Sequence, residues 1–555
     1  MPDITRTCRI TGKLFTITEW EQEFYKKMGV TPPTLCIEER HRRRLSHRNE
    51  RTIYKGQCSL CAKAMISIYS PDKLNKVYCP DCWWSDKWDP RDFGRDIDFN
   101  RPFFDQFAEL QRVVPQIALF NLRGENSEYC NITNSNKNCY LVFGGDYCED
   151  CMNSCFSMYC KDVSDVYWTN HSELCFDCID CGDCYNVRYS QGSYNCKDSD
   201  FLFECRACTN CFGCVGLRNK EYHIFNKPYS KEEYHQKIQE YQLHSWSGVQ
   251  RMKQQFEEFR LRFPHRAAQI INCENSSGDD LRNCKNCSNC FDVEGPAEDL
   301  KDCFLAGWGA RDMVSCDHGG FGAQLYYEMV GSIEGQRCAF CTFCWTSSDI
   351  WYSHMIVNNS HDLFGCSNMK KAEYCILNKQ YSKEEYFSVR QKLVDHMKKT
   401  GEFGEFFPIA NSLFSYNETV ANDYFSVSKE EALRMNWKWC DFQTPVQAER
   451  TIPAEKLPDS IQDIPDDILN WAILCERTGR PFKIIAQELK YYRRMKIPIP
   501  HLCPEERNRA RIRRRKPRTT WERECDKCQK TIFTPYRPEC PEKIYCEQCY
   551  LNEVE

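Results

Sequence analysis

Six cysteines near the start of this chain recur near its end at one fixed offset. Adding 467 to Cys8, Cys36, Cys58, Cys61, Cys79 and Cys82 gives Cys475, Cys503, Cys525, Cys528, Cys546 and Cys549. The register runs without a gap from 8–82 to 475–549, with 28 identical positions that include Gly12/Gly479, Phe15/Phe482, Tyr25/Tyr492, Arg40/Arg507 and Tyr78/Tyr545. An ungapped match of that length marks a duplicated domain. Whatever the middle does, it is bracketed by two related ends.

The second half of each copy spells a metal site. Cys58 and Cys61 are followed after 17 residues by Cys79 and Cys82, and Cys525 and Cys528 by Cys546 and Cys549 at the same spacing. A C-x2-C knuckle turns its amides toward the sulfurs, and two knuckles close a tetrahedron around Zn²⁺. The spacing predicts a β-hairpin between the knuckles, with "AMISIYS" and "KTIFTPY" as its first strand. A closed four-thiolate site leaves no open coordination position, so two structural zinc ions are expected.

The first half of each copy resembles a treble-clef zinc finger found in bacterial proteins, with the pattern C-x2-C-G-x2-F, a helix carrying E-x3-Y, then P-x2-C-x2-C-R. Here two of the four ligand positions have changed: Thr11/Thr478 and Glu39/Glu506 stand where the pattern has Cys. Cys8, Cys36, Cys475 and Cys503 remain as a candidate weak site, set against a metal-free relic held by Phe15, Tyr25, Leu35 and their counterparts.

Forty cysteines in 555 residues is a density otherwise met in small disulfide scaffolds. This chain is large, opens without a basic and apolar leader and has no run of 18 apolar residues, so a cytoplasmic protein with reduced thiols and no membrane span is expected. Its net charge of −5 is unevenly spread: 8–82 carries +6 and 475–549 carries +10, which leaves −21 for the remainder. The positive charge is concentrated in "RHRRRLSHRNER" (40–51) and "RNRARIRRRKPR" (507–518). Guanidinium forks suit phosphate, so Arg40, Arg42, Arg43, Arg44, Arg48, Arg507, Arg509, Arg511, Arg513, Arg514, Arg515, Lys516 and Arg518 are candidate contacts for RNA or a ribonucleoprotein. The other reading of such runs is a solvated helix face.

Between the ends, phrases such as "NCYLVF", "SCFSMY", "DCYNVRY" and "NCFGCV" recur among Asn, Asp, Ser and Gly. Short strands with polar corners predict a mainly β chain with two Cys-rich, parallel β-helix-like solenoids, 125–230 and 273–382. Their starts fall at irregular intervals. Cysteines at every third position, 175 to 184 and 205 to 214, read as a reduced ladder in a narrow core; further zinc, an iron–sulfur cluster and disulfides are the alternatives. Each solenoid ends in "YSKEEY", whose Ser230 or Ser382 with Glu233 or Glu385 predicts a capped helix over the open end, and Ser428 with Glu431 predicts a third.

The expected organisation is a terminal domain at 1–90, an aromatic bridge at 91–124, the first solenoid, a helical connector at 231–272, the second solenoid, a helical closing segment at 383–447, a linker at 448–467 and the second terminal domain at 468–555. "CERTGRPF", "YCEQCYLNEV" and the core ending "NKPYSKEEY" together resemble a functionally uncharacterised family of large Cys-rich zinc-ribbon proteins that recurs in uncultivated bacterial lineages. The resemblance covers most of the chain and implies cytoplasmic zinc binding without a known activity. No P-loop, HExxH or GxSxG motif is present, and "GGFGAQ" at 319–324 reads as a turn. The sequence thus points to a non-enzymatic zinc-binding scaffold. A redox or metal-storage protein and a protein–protein assembly module using the solenoid surface are the rival readings.

Overall fold

Short parallel strands stacked at a constant offset fill the middle of the computed structural model, which describes residues 2–73, 76–442 and 444–554. In the first stack Tyr140–Phe143 pairs with Met152–Met158, followed by Tyr167–Asn170 and Ile179–Gly182. The run continues from Tyr185–Arg188 to Glu221–Ile224. Partners lie twelve residues apart, as in Tyr140 with Met152 and Cys155 with Tyr167. The second stack, from Ile270–Ile271 to Glu373–Ile376, uses offsets of eleven to thirteen: Ile270 faces Leu281, Gly278 faces Cys290, and Phe291 faces Phe304. The chain is mainly β and forms a β-solenoid, with twelve short α-helices among the described residues.

The backbone turns at every third residue. Asp177, Asp180, Asp183 and Asn186 each have φ between 51° and 53°. Asn and Asp accept this left-handed conformation most readily because their short polar side chains bond locally. This is the physical origin of the polar material between the apolar phrases. It also sets the phase of the core, since one residue in three faces the axis. Cys175, Cys178, Cys181 and Cys184 are four successive inward positions of one circuit, each at most 2% exposed. Cysteines at threes therefore ring a single circuit, and the ladder runs at twelve, through Cys184, Cys196 and Cys208. The recurring phrases look irregular because the strands they mark vary in length while the circuit does not.

Four inward residues per circuit leave a narrow bore, which Cys, Ser, Val and Thr fill. The corners also turn main-chain groups inward. Cys148 donates to the Ser157 carbonyl at 3.2 Å and Cys178 to the Val187 carbonyl at 3.3 Å. The amide of Cys211 donates to Ser199 Oγ and that of Leu202 to Ser190 Oγ, both at 3.0 Å. Cysteine suits these positions as a small apolar side chain that is also a weak donor, and it adds a second hydrogen bond to carbonyls that already accept a ladder amide, Asp146 N–H at Ser157 and Phe176 N–H at Val187. At Gly278, φ 132°, a Cβ would lie 1.7 Å from the Cys290 carbonyl oxygen, so glycine alone fits there.

The three capping boxes form as expected, at Ser230 for Lys231–Gln239, Ser382 for Lys383–Thr400 and Ser428 for Lys429–Arg434. The first two helices lean on the last strand of their stack: Tyr234 meets Tyr222 and Tyr386 meets Tyr374, each with ring centroids 5.8 Å apart. Phe103–Val113 also forms as a helix, with Phe103 against Phe364 at 5.5 Å and Tyr352 at 5.8 Å. The 448–467 segment is no free tether. Arg450–Pro453 pairs with Trp471–Leu474, and Leu457, Ile461 and Ile464 are buried in one cluster with Tyr492. Apolar residues placed between the prolines draw it into that core.

The two ends dock crosswise. The N-terminal copy lies on the second stack, where Phe24 and Tyr25 pack on Tyr327. The C-terminal copy lies on the first, where Tyr491 and Tyr492 pack on Phe176 and Tyr491 donates to the Cys175 carbonyl at 2.8 Å.

Candidate metal centres and the arginine-rich helices

Both four-cysteine groups are assembled in the same way. Tyr54–Gln57 and Ala64–Ser67 form an antiparallel hairpin with Cys58 and Cys61 in its turn. Cys79 N-caps the helix Pro80–Trp84, which carries Cys82. In the other copy Trp521–Glu524 and Thr531–Thr534 hold Cys525 and Cys528, and Cys546 precedes the helix Glu547–Val554 carrying Cys549. The hairpin thus straddles the first knuckle instead of filling the interval between the two. The knuckle is itself a tight turn and serves as the hairpin's connection. The strand left over pairs outside the copy, Val77–Tyr78 with Gln116–Ile117 and Lys543–Tyr545 with Pro264–Arg266. Each four-cysteine unit is thereby fastened to the segment that enters a stack.

Within each group the four sulfurs lie within 4.8 Å of one another. Cys61 and Cys79 approach to 3.9 Å, and Cys528 and Cys546 to 3.7 Å. The Cys79 amide donates to Cys58 Sγ at 3.3 Å, the Leu60 amide to the same sulfur at 3.5 Å, and the Cys546 amide to Cys525 Sγ at 3.2 Å. Burial alone would raise the Cys58 thiol, but the amides of Cys79, Cys61 and Leu60 outweigh it and hold it at about 6. Cys525 is held at about 6 in the same way by the amides of Cys546, Cys528 and Lys527. Cys82, by contrast, is pushed up to about 12 by desolvation and its three neighbouring thiols. Four thiolates this close need a cation among them, and each group could hold a metal ion.

The degenerate halves gather no such set. Cys8 and Cys36 are buried with Leu35, and Thr11 Oγ1 lies 3.8 Å from Cys36 Sγ. In the other copy the Cys503 amide donates to Cys475 Sγ at 3.4 Å. Glu39 pairs with Arg42, and Glu506 with Arg477 at 3.0 Å and Arg509 at 2.7 Å. Among the described residues neither cysteine pair gains a third side chain of ligand type within coordination reach.

The arginine-rich runs form the helices Ile37–Leu45 and Pro504–Arg514 and their C-terminal extensions. Arg40 meets Glu328 at 3.3 Å and Asp302 at 3.5 Å, and Arg44 meets Asp317 at 2.6 Å and Glu328 at 2.8 Å. Arg43 meets Glu405 at 3.0 Å, Arg48 meets Glu50 at 2.5 Å, and Arg42 lies over the Trp437 ring at 5.1 Å. In the other copy Arg507 and Arg511 share Asp165, the latter at 2.7 Å, and Arg514 pairs with Asp177. Arg515 joins the two stacks, at 3.0 Å from Asp180 and 2.5 Å from Asp292. Lys516 reaches Asp279 at 2.8 Å and Arg518 reaches Asp292 at 3.1 Å. Arg509 lines a polar cleft with Arg51, Asn417, Asp423 and Asn508. Arg513 is exposed and makes no ion pair among the described residues.

The carboxylates that receive these cations are the functional residues the motif search missed. Their acidity shows the pairing: burial would raise Asp177, but Arg514, Lys253 and Arg511 bring it down to about 2. Arg44 and His41 likewise hold Asp317 far below the ordinary carboxylate range against its burial. Two signals for them stand in the sequence, the acidic middle facing two basic ends and Asp at the circuit spacing, as in Asp165 with Asp177 and Asp280 with Asp292. Among the described residues no helix is long and apolar enough to cross a membrane. Neither a protein-family model, nor a curated protein, nor a solved structure matches the chain.

Proposed function

We propose that this protein is a non-enzymatic scaffold whose two ends are zinc ribbons, each closed by one structural Zn²⁺, and whose arginine-rich helices clamp those ends onto the solenoid. The observation that carries the reading is the pair of matched four-sulfur groups, within 4.8 Å in both copies. Four thiolates complete a tetrahedron and leave no site for substrate or water. Clamping is supported by the burial of Arg40, Arg44, Arg507 and Arg511 against carboxylates of the stacks. Binding of RNA or a ribonucleoprotein through the same runs is weakened by that pairing, since phosphate would have to displace Asp165, Asp292, Asp317 and Glu328 from buried cations. A partner protein on the outer solenoid surface competes with none of these contacts. X-ray absorption at the zinc edge tests the metal assignment: four sulfur neighbours at about 2.3 Å are expected. Nitrogen or oxygen in the first shell would overturn it.

A further inference from the structure

The open end of the second stack exposes one inward cysteine. Ile270–Ile271 is the edge strand, and Cys273, just beyond it, is partly exposed while most inward cysteines are buried. The Cys284 amide donates to Cys273 Sγ at 3.4 Å, which places Cys284 directly beneath it. From there the thiols continue in file. Cys284, Cys287 and Cys290 take successive inward positions of one circuit, and the register that sets Phe291 opposite Phe304 and Phe304 opposite Asp317 stacks Cys290, Cys303 and Cys316 in turn, with side-chain contact between neighbouring thiols. Cys287, Cys290, Cys303 and Cys316 are at most 1% exposed. The file thus runs from solvent into the core with a thiol at each step.

The interior decides which chemistry fits. Among the described residues no three of these sulfurs converge as a metal set, so the stack offers pairs of thiols. The core around the outer part of the file is Leu281, Val293, Ala297 and Leu300, and at the inner end Arg44 lies near Cys316, where it is already paired with Asp317. A product that forms from two thiols and carries no charge is the one such a core accepts.

We propose that Cys273 admits two-electron oxidising equivalents from a low-molecular-weight disulfide, and that they pass inward as a disulfide bond along Cys284, Cys287, Cys290, Cys303 and Cys316. Cys273 attacks one sulfur of the small disulfide, forming a mixed disulfide and releasing one small thiol. Cys284 then attacks the Cys273 sulfur and releases the second. Two protein thiols are oxidised, the small disulfide is reduced to two thiols, and the two protein protons leave with them. Attack of Cys287 on the Cys284 sulfur returns Cys273 to the thiol, with the proton of Cys287, and moves the bond one place inward. The first stack is a built-in comparison, since each of its cysteines from Cys130 to Cys214 is buried. This oxidation goes beyond the scaffold reading and can fail without affecting it.

The test uses the full chain with its metals retained, incubated with glutathione disulfide, alkylated and mapped by mass spectrometry. Disulfides are expected between neighbours of the Cys273–Cys316 file, appearing first at Cys273–Cys284, while the first-stack thiols stay reduced. Cys273→Ser should slow oxidation of the file by more than tenfold at an unchanged melting temperature. Cys287→Ser should confine the bond to Cys273 and Cys284. Equal interior oxidation in Cys273→Ser, oxidation of Cys290 or Cys303 in Cys287→Ser, equal oxidation of both stacks, or a mixed disulfide at Cys273 that goes no further would each overturn the proposal.

Discussion

Arg44 Nε and Asp317 Oδ2 stand 2.6 Å apart, and both side chains are fully shielded from solvent. The pair joins the N-terminal copy to the second stack, and its counterpart, Arg511 with Asp165 at 2.7 Å, joins the C-terminal copy to the first. Removing one partner of such a pair leaves a buried charge without compensation, at a cost of about 3–5 kcal/mol. Asp317→Asn should therefore lower the denaturant midpoint strongly. Neutralising the exposed Lys527–Glu553 pair with Glu553→Gln should change stability by less than about 1 kcal/mol.

Buried imidazoles set a second expectation. Burial lowers His47 and His265 to about 3 and His354 to about 4. In the unfolded chain these groups titrate near 6.5. Between those values the unfolded state binds the proton and the folded state does not. Stability is full above about pH 6.5 and falls as pH drops toward 3–4. Each imidazole contributes a slope of about 1.4 kcal/mol per pH unit across that window. Urea midpoints of the metal-saturated protein should fall steadily from pH 7 to pH 5, and less steeply in His354→Gln. A flat profile would count against the buried neutral imidazoles.

The circuit corners make a third. Asp183 is exposed and has φ 53°. A β-branched residue in that conformation is strained by about 1–2 kcal/mol, whereas glycine is not. Asp183→Val should destabilise the first stack by that amount in thermal melts, and Asp183→Gly should be close to neutral.

Chelation gives a fourth. If zinc holds the ribbons, a strong chelator should increase amide hydrogen exchange in 54–84 and 521–554 while protection at the buried Phe201, Leu202 and Phe203 persists. Uniform loss of protection would mean that the ends and the solenoid unfold as one unit.

The terminal duplication, the two four-cysteine groups and a β-solenoid in the middle were legible in the sequence, because spacing and residue type alone determine them. The circuit was not. Cys175 to Cys184 at threes suggested a stack, and only the left-handed corners at Asp177, Asp180 and Asp183 reveal that three residues make one side and twelve make a turn. The hairpin was placed one knuckle too late because its first strand, Tyr54–Gln57, carries no strong strand signal. The arginine runs were read by their local charge. Their partners, such as Asp317 for Arg44, lie 273 residues away, and the clue to them was global, a basic pair of ends around an acidic middle.

If each four-cysteine group holds one Zn²⁺, as proposed, and the solenoid thiols hold no metal, the metal content of the chain is fixed. Native mass spectrometry with elemental analysis, on protein purified without oxygen, tests this most directly. The result it predicts is two zinc ions per chain and no iron, falling to one zinc when Cys58 and Cys61 are both replaced by serine. A chain with no zinc, with iron, or with more than two metal ions would contradict it.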